Sequence, residues 1–228
     1  MKKIIFAIFA HPDDEAFGPS GTLLLESRAG NDVHLLCLTA GEAGVNPDNH
    51  PNLAEVRLKE WHKAGKLIGA KSMHHLGYHD GELSNNQFHE AATRVEQIIA
   101  TVLKDSPDKC EIEFMSGDEN GISGHLDHIF ASRLAAYVFY RLKATDRRVT
   151  RLRLVCLPVD MMPLPNTDFM YMSPGRNPEE IDEIIDASEV HEEVVAIMRA
   201  HHTQRADGEN HIKNRGPNLA VSYFKILT

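Results

Sequence analysis

The sequence predicts an α/β fold in which helices cover both faces of an open, mostly parallel sheet. Three observations support this prediction. Lys3–Phe9 is a short apolar run, a second run covers Val33–Thr39, and segments with helical periodicity separate such runs along the chain. Continuous apolar runs are typical of parallel strands because both of their faces are buried. Loops that carry glycine or ionisable residues follow both runs, as expected at the ends of such strands.

The remaining elements alternate in the same way along the chain. Apolar residues recur at helical intervals over Leu53–Ile68, and Gly69 provides a stop signal. The same periodicity over 88–103 is broken by Ser106-Pro107. In chain order, strands are predicted at 3–9, 33–39, 73–76, 111–115 and 152–157, and helices at 23–28, 53–68, 88–103, 129–142 and, as the last helix, within 179–204. The Pro-rich segment 158–178 is predicted to be a long loop.

Length and composition limit the class of protein. The chain has 228 residues, of which 42% are apolar, so we predict a single domain over 1–228. The net charge is −9 and no extended cluster of Lys and Arg occurs, which argues against a nucleic-acid partner. Cys37, Cys110 and Cys156 are far apart, which excludes a CxxC metal site, argues against a disulfide framework and favours a reducing compartment. We expect these cysteines to be buried and to pack as small apolar side chains rather than to act as nucleophiles.

The amino-terminal segment could be mistaken for an export signal because Lys2-Lys3 precedes an apolar run. That run is barely long enough, and the supposed cleavage region coincides with a dense cluster of ionisable side chains. No later segment approaches the ~20 apolar residues that a membrane span needs. We therefore expect a cytoplasmic protein without a membrane partner, and the sequence leaves homo-oligomerisation open.

The loop after the first strand carries the first constellation of reactive groups. It contains His11, Asp13, Asp14 and Glu15 within five positions. Carboxylates beside a buried strand need compensation, and a divalent cation would provide it while using His and Asp as ligands. His11 and Asp14 are three residues apart on a tight turn, a spacing that can aim both side chains at one point.

A second constellation follows the predicted strand 111–115. His125 and His128 are three residues apart and would share one face at the start of a helix. One ion could therefore collect ligands from both loops. Two His and one Asp around Zn²⁺ leave the fourth tetrahedral position for water, whose pKa falls to about 7 in favourable sites. This arrangement suits amide hydrolysis, because the ion also polarises a carbonyl oxygen.

Together with other motifs, these residues resemble the zinc-dependent N-deacetylases of the PIG-L/LmbE type. The resemblance covers about the first 130 residues, and the paired His and Asp motifs are its most specific part. A weaker match is His201-His202-Thr203-Gln204, which is similar to a His-x-Ser-Gln motif near the end of many members. The matching motifs, in chain order, are Ala10–Glu15, Gly18 with Gly21-Thr22, Thr39–Glu42, Arg57 with Glu60, Leu76–Gly81 and Gly124–His128.

The resemblance implies a Rossmann-like fold and a role for each residue that matches a motif. The metal ligands would be His11, Asp14 and His128. Asp13 would be the general base that takes a proton from the metal's water and returns it to the leaving amine. His125, as an imidazolium, would stabilise the tetrahedral oxyanion, with Asp127 orienting it. Arg57 would bind substrate. From the sequence itself, an ordinary helix-surface ion pair between Arg57 and Glu60 is an equally good interpretation.

The resemblance also implies an activity, which is removal of the acetyl group from an N-acetylated amino sugar, an N-acetylglucosamine derivative. The metal would be Zn²⁺, although His and Asp ligands suit Fe²⁺ as well. Two alternatives stay open. One is a zinc amidase that acts on thiol-cofactor conjugates, and the other is a metal-dependent sugar-binding protein without turnover. The presence of Asp13 argues against the latter, because a protein that only binds sugar needs no general base.

Overall fold

The computed structural model describes residues 1–162 and 173–228, and these form a seven-stranded sheet with helices on both faces. The strands are β1 (Lys2–Phe9), β2 (Asp32–Thr39), β3 (Ser72–Tyr78), β4 (Cys110–Gly117), β5 (Val149–Cys156), β6 (Glu183–Asp186) and β7 (Val221–Leu227). Their order is β3-β2-β1-β4-β5-β7-β6. The first five strands are mutually parallel, whereas β7 pairs antiparallel with β5 and with β6. The predicted fold class, a Rossmann-like, mostly parallel sheet, is confirmed.

Helices lie between most of the strands that follow one another along the chain. They are α1 (Asp14–Phe17), α2 (Ser20–Arg28), α3 (Leu53–Ile68), α4 (Phe88–Lys104), α5 (Gly121–Gly124), α6 (Leu126–Lys143), α7 (His191–Arg199) and α8 (Arg205–Arg215). The side chain of Asn52 caps α3 by accepting the N–H of Glu55, and Gly69 ends the helix in the left-handed conformation with φ 79°. In the part of the chain that the structure describes, no helix is both long and apolar enough to span a bilayer.

The alternation of side chains along β1 divides the core between the two faces of the sheet. Phe6, with its neighbours two positions away in the strand, packs under α4 and α6 in a cluster that includes Phe139. Ala7 and the other intervening residues face the second cluster, where α2, α3 and α7 bury Trp61 and Phe224. The three cysteines are buried and free, as predicted.

The carboxyl-terminal third departs from the predicted elements. A last helix was predicted within 179–204, but that range holds the short strand β6 as well as α7, and the chain continues into α8 and β7. Of the predicted loop 158–178, residues 163–172 lie outside the described residues. On either side of them, Pro158 forms an isolated bridge with Arg176.

The strand order places a switch point between β1 and β4, because the chain first builds outward through β2 and β3 and then returns to the other side of β1. In open α/β sheets, ligands bind in the crevice at the carboxyl ends of the strands at such a point. The loops that follow β1 and β4 are those that carry His11 and His125. The topology therefore brings both predicted constellations to one crevice.

Candidate active site

The loop after β1 fixes the carboxylate of Asp14 beside the end of that strand. Oδ2 of Asp14 accepts the backbone N–H groups of Ala10 at 3.1 Å and of His11 at 3.0 Å. The preceding residue, Asp13, has φ 120° and ψ −25°, a region that residues other than glycine rarely adopt. Strain of this kind persists only where surrounding contacts hold it. The loop therefore holds the carboxylates of Asp13 and Asp14 in fixed directions.

The loop after β4 presents two histidines at the start of α6. His125 precedes the helix, and its Nδ1 accepts the backbone N–H of Asp127 at 3.2 Å. His128 lies in the first turn, with its Nδ1 3.2 Å from the carbonyl oxygen of Gly121. That carbonyl can only accept, so Nδ1 of His128 carries the proton and Nε2 is the atom that can bind a metal.

The predicted metal ligands converge on one point. Nδ1 of His11 lies 3.0 Å from Nε2 of His128, which in turn lies 3.2 Å from Oδ1 of Asp14. The third separation, from Nδ1 of His11 to Oδ2 of Asp14, is 4.0 Å. Ligand atoms bound tetrahedrally to Zn²⁺ at 2.0–2.1 Å are about 3.3 Å apart. The two separations from Nε2 of His128 are close to this value, and the separation between His11 and Oδ2 of Asp14 is longer. His125 lies close to the same two histidines, since His11, His125 and His128 each place one ring nitrogen within 4.8 Å of the others. The centroid of the His125 ring is 4.9 Å from those of His11 and His128.

Two carboxylates hold the far side of the His11 ring. Nε2 of His11 lies 2.8 Å from Oδ1 of Asp80 and 3.3 Å from Oδ2 of Asp127, and the latter oxygen also accepts the N–H of Gly81 at 2.8 Å. Burial lowers the pKa of His11, but the hydrogen bonds to Asp127 and Asp80 and the charge of Asp14 outweigh it and raise the pKa to about 10. Carboxylates in this position orient a ligating imidazole and increase its basicity.

Asp14 and His128 form an ion pair, and each shifts the pKa of the other. Burial raises the pKa of Asp14, but the charge and hydrogen bond of His128 outweigh this and lower it below its usual range. The pKa of His128 is raised, because the charge and hydrogen bond of Asp14 outweigh the lowering caused by burial. Asp14 is therefore a carboxylate throughout the neutral range, as a metal ligand must be.

The resemblance implied an imidazolium at His125, and that protonation state stays a prediction. Burial and the positive charges of His128 and His11 lower its pKa below 6.5, which favours the neutral imidazole. Because Nδ1 accepts the N–H of Asp127, the proton of the neutral ring is on Nε2. Asp127 thus contacts His125 through its backbone, whereas its carboxylate contacts His11.

Arg57 lies behind Asp13 rather than on the helix surface. Its side chain is 4% exposed, and Nη2 donates to Oδ2 of Asp13 at 2.7 Å and to the carbonyl oxygen of Pro12 at 2.6 Å. Nη1 donates to the carbonyl oxygen of Gly41 at 2.6 Å. The alternative of a surface ion pair with Glu60 is therefore wrong. Burial raises the pKa of Asp13 to about 6 although the charge of Arg57 opposes it, a value suited to a general base near neutral pH.

Two side chains near the site were not among the predicted site residues. Asp80 follows β3 and belongs to the matching motif Leu76–Gly81, in which no site residue was predicted from the sequence. Glu15 was noted only as part of the first constellation. Its Oε1 lies 2.8 Å from Nε2 of His201. The signal for Asp80 was the carboxylate at a strand end, but no local signal relates Glu15 to a histidine 186 residues away.

The fold and the site together define an α/β protein with a candidate His/Asp metal centre at the carboxyl edge of a mostly parallel sheet. The chain belongs to the PIG-L family, since the family model described as GlcNAc-PI de-N-acetylase matches residues 6–139. This confirms the resemblance seen in the motifs.

Similar proteins carry related names. The chain is 30% identical over 154 residues to a probable N-acetyl-alpha-D-glucosaminyl L-malate deacetylase 2 of Bacillus cereus, an alignment that covers 65% of this chain and 66% of that protein. Its identity to the protein of the same name from Bacillus subtilis is 28%, with 97% of this chain and 94% of that protein covered. Among solved structures, the N,N'-diacetylchitobiose deacetylase of Pyrococcus horikoshii has the same fold, with a TM-score of 0.64 at 22% identity over 99% of this chain and 84% of that one.

Proposed function

We propose that this protein is a zinc-dependent hydrolase that removes the acetyl group from an N-acetylated amino sugar, an N-acetylglucosamine derivative. One observation carries the proposal. In a chain of the PIG-L family, His11, Asp14 and His128 converge on one point, and Asp13, whose pKa is raised to about 6, stands next to a ligand. The names of the B. cereus and B. subtilis relatives support the substrate class.

In this proposal His11, Asp14 and His128 hold the metal. A Zn²⁺ ion held there would polarise the acetyl carbonyl as a Lewis acid and lower the pKa of a water molecule to about 7. The donor set also suits Fe²⁺, so the assay below compares the two ions. Asp80 and Asp127 would keep the His11 ring in the orientation and tautomer that direct Nδ1 to the ion.

The protein's own side chains would move the proton and stabilise the charge. Asp13 takes one proton from the attacking water as its oxygen bonds to the acyl carbon, and it delivers that proton to the amide nitrogen as the C–N bond breaks. The products are acetate and the free amine. Nε2–H of His125 donates to the oxygen of the former carbonyl as negative charge develops on it. Because a neutral imidazole can donate this hydrogen bond, the lowered pKa of His125 is compatible with the role.

An acetate-release assay on a panel of N-acetylated sugars tests the proposal. The protein is stripped of metal and then reconstituted with Zn²⁺ or Fe²⁺. We expect release of acetate from N-acetylglucosamine derivatives only after reconstitution. Faster cleavage of cysteinyl amides would instead indicate the amidase that acts on thiol-cofactor conjugates. Tight metal binding with no cleavage of either class would indicate a sugar-binding protein without turnover.

A further inference from the structure

A buried ion pair lies behind Asp13 and has no part in the steps described above. Nε2 of His201 is 2.8 Å from Oε1 of Glu15, and their side chains are 0% and 1% exposed. Burial lowers the pKa of His201, but the adjacent charge of Glu15 outweighs it and raises the pKa. A buried pair is weak evidence for stability, because desolvation of both charges offsets their attraction. The contact between this Glu15–His201 pair and Asp13 indicates a role other than stability.

The second oxygen of Glu15 connects this pair to Asp13. Oε2 of Glu15 accepts the backbone N–H of Asp13 at 3.2 Å. This amide belongs to the residue whose φ of 120° lies in the sparsely populated region. A hydrogen bond to a carboxylate is stronger than one to a neutral acceptor. Glu15 therefore holds the strained backbone, while Arg57 holds the carboxylate of the same residue from the other side.

We propose that the Glu15–His201 pair is a positioning device for Asp13, with His201 fixing Glu15 and Glu15 fixing the strained main chain from which the general base projects. The inference deepens the proposed deacetylation and rests on it for its kinetic consequence. His201 and Glu15 are positioning residues, since neither is placed in contact with the substrate or the metal.

The segment that contains His201 also contacts the helix and the loop next to Arg57, the other residue that holds Asp13. Two residues after His201, Thr203 donates its hydroxyl to Oε2 of Glu60 at 2.6 Å, and Glu60 lies one turn beyond Arg57 in α3. Gln204 donates to the carbonyl oxygen of Val45 at 3.2 Å, in the loop whose Gly41 carbonyl accepts from Arg57. Residues 201–204 lie outside the region 6–139 that the family model matches. His201 contacts Glu15 directly, whereas Thr203 and Gln204 contact the helix and the loop that flank Arg57.

Steady-state kinetics of zinc-loaded variants test the inference. In His201→Ala the Glu15 carboxylate loses its partner, and we expect kcat for acetate release to fall about 10- to 100-fold with little change in KM or zinc content. In His201→Gln the side-chain amide can still donate to Glu15, and we expect most of kcat to return. The inference would be overturned if kcat of His201→Ala equalled that of the wild type. It would also be overturned if kcat of His201→Gln were as low as that of His201→Ala.

Glu26→Gln is a matched control for Glu15→Gln. Glu26 also belongs to a buried ion pair, 2.8 Å from Nη1 of Arg153, but it contacts Lys3 at the opposite end of β1 from the active site. Both substitutions remove a charge from a buried pair at almost constant volume. We expect Glu15→Gln to lower kcat and Glu26→Gln to lower only the denaturation midpoint. An equal loss of kcat in both would show that activity follows stability and would overturn the inference.

A crystal structure of His201→Ala separates this inference from the proposed function. If the zinc-loaded wild type releases no acetate from any sugar, the proposed function is wrong, but the positioning of Asp13 is still measurable. We expect φ of Asp13 to leave the positive region, or its carboxylate to move away from Arg57. An Asp13 that stays at φ near 120° and within 2.7 Å of Arg57 would overturn the inference whatever the substrate.

Discussion

Nη2 of Arg57 donates to the carboxylate of Asp13 over 2.7 Å and to the carbonyl oxygen of Pro12 over 2.6 Å. One guanidinium nitrogen therefore holds both the proposed general base and the turn that carries it. The resemblance implied that Arg57 binds substrate, but its side chain is only 4% exposed and its hydrogen bonds go to the protein itself. The two roles make different kinetic predictions.

Replacing Arg57 with Gln distinguishes these roles. If Arg57 mainly positions Asp13, kcat falls about 10- to 100-fold and KM changes little, because a misplaced base affects the chemical step. If Arg57 mainly binds substrate, KM rises at nearly constant kcat. Lys59→Gln is the control, since Lys59 is exposed on the same helix and pairs only with Glu55 among the contacts described. Its kinetic constants should equal those of the wild type.

Replacing Asp13 with Asn tests its role as general base. The amide is nearly isosteric but cannot take a proton, so we expect kcat to fall at least about 100-fold. Zinc content should stay near that of the wild type, because the converging ligand atoms belong to other residues. Metal analysis and acetate release on the same preparation check both parts, and equal activity in the variant would refute the role.

Replacing His128 or His125 with Ala separates metal binding from stabilisation of charge. The two residues lie at the start of the same helix, and Nε2 of His128 is 3.2 Å from Oδ1 of Asp14. We expect His128→Ala to lose zinc, together with activity. In His125→Ala, zinc should remain while kcat falls about 100-fold, as for loss of one donor to an oxyanion. Full zinc occupancy in His128→Ala would remove this residue from the ligand set.

The sequence predicted the central strands and the site loops because their signals are local. The run Lys3–Phe9 is apolar at nearly every position, as a strand covered on both faces must be. The ionisable residues then follow directly at the strand end. Convergence of His11 with His128 could be expected for the same reason, since loops at the carboxyl ends of neighbouring parallel strands meet. That one domain covers 1–228 stays a prediction.

The carboxyl-terminal elements have no such signal. Helix α8 (Arg205–Arg215) has Gly208 as its only buried residue, so no apolar periodicity marks it. In β7 a buried position is occupied by Ser222, which breaks the expected alternation, and β6 is only four residues long. The pairing of Glu15 with His201 and that of Arg57 with Asp13 depend on tertiary packing, and no spacing in the sequence encodes either.

Replacing Gly41 with Ala tests how Arg57 is accommodated. Gly41 has φ 68°, and a Cβ at this position would overlap the guanidinium of Arg57. Gly30 has φ 83° but open space around it, so Gly30→Ala is a matched control for backbone strain alone. Both variants should lose about 1–2 kcal/mol of unfolding free energy to that strain. Only Gly41→Ala should also lose kcat, because it displaces the side chain that holds Asp13. Equal kcat in the two variants would contradict this.

The buried imidazole of His34 predicts how stability depends on pH. His34 is 3% exposed, its ring stacks on Phe6 with 5.3 Å between centroids, and its Nδ1 lies 2.7 Å from Oγ of Ser72. Burial lowers its pKa to about 4, although the charge of Asp32 opposes the shift. Between pH 6.5 and 4 the unfolded chain therefore binds a proton at this residue that the folded chain does not.

The unfolding free energy should accordingly be highest above pH 6.5 and fall as the pH decreases towards 4, with at most about 1.4 kcal/mol per pH unit from His34. In His34→Phe the aromatic stacking is retained and the titration is removed, so urea denaturation should show a shallower decrease over this range. His89→Phe, at an exposed position, should keep the wild-type slope. If His34→Phe and the wild type lose stability equally between pH 6.5 and 4, the neutral state of the buried His34 ring is not a source of the pH dependence.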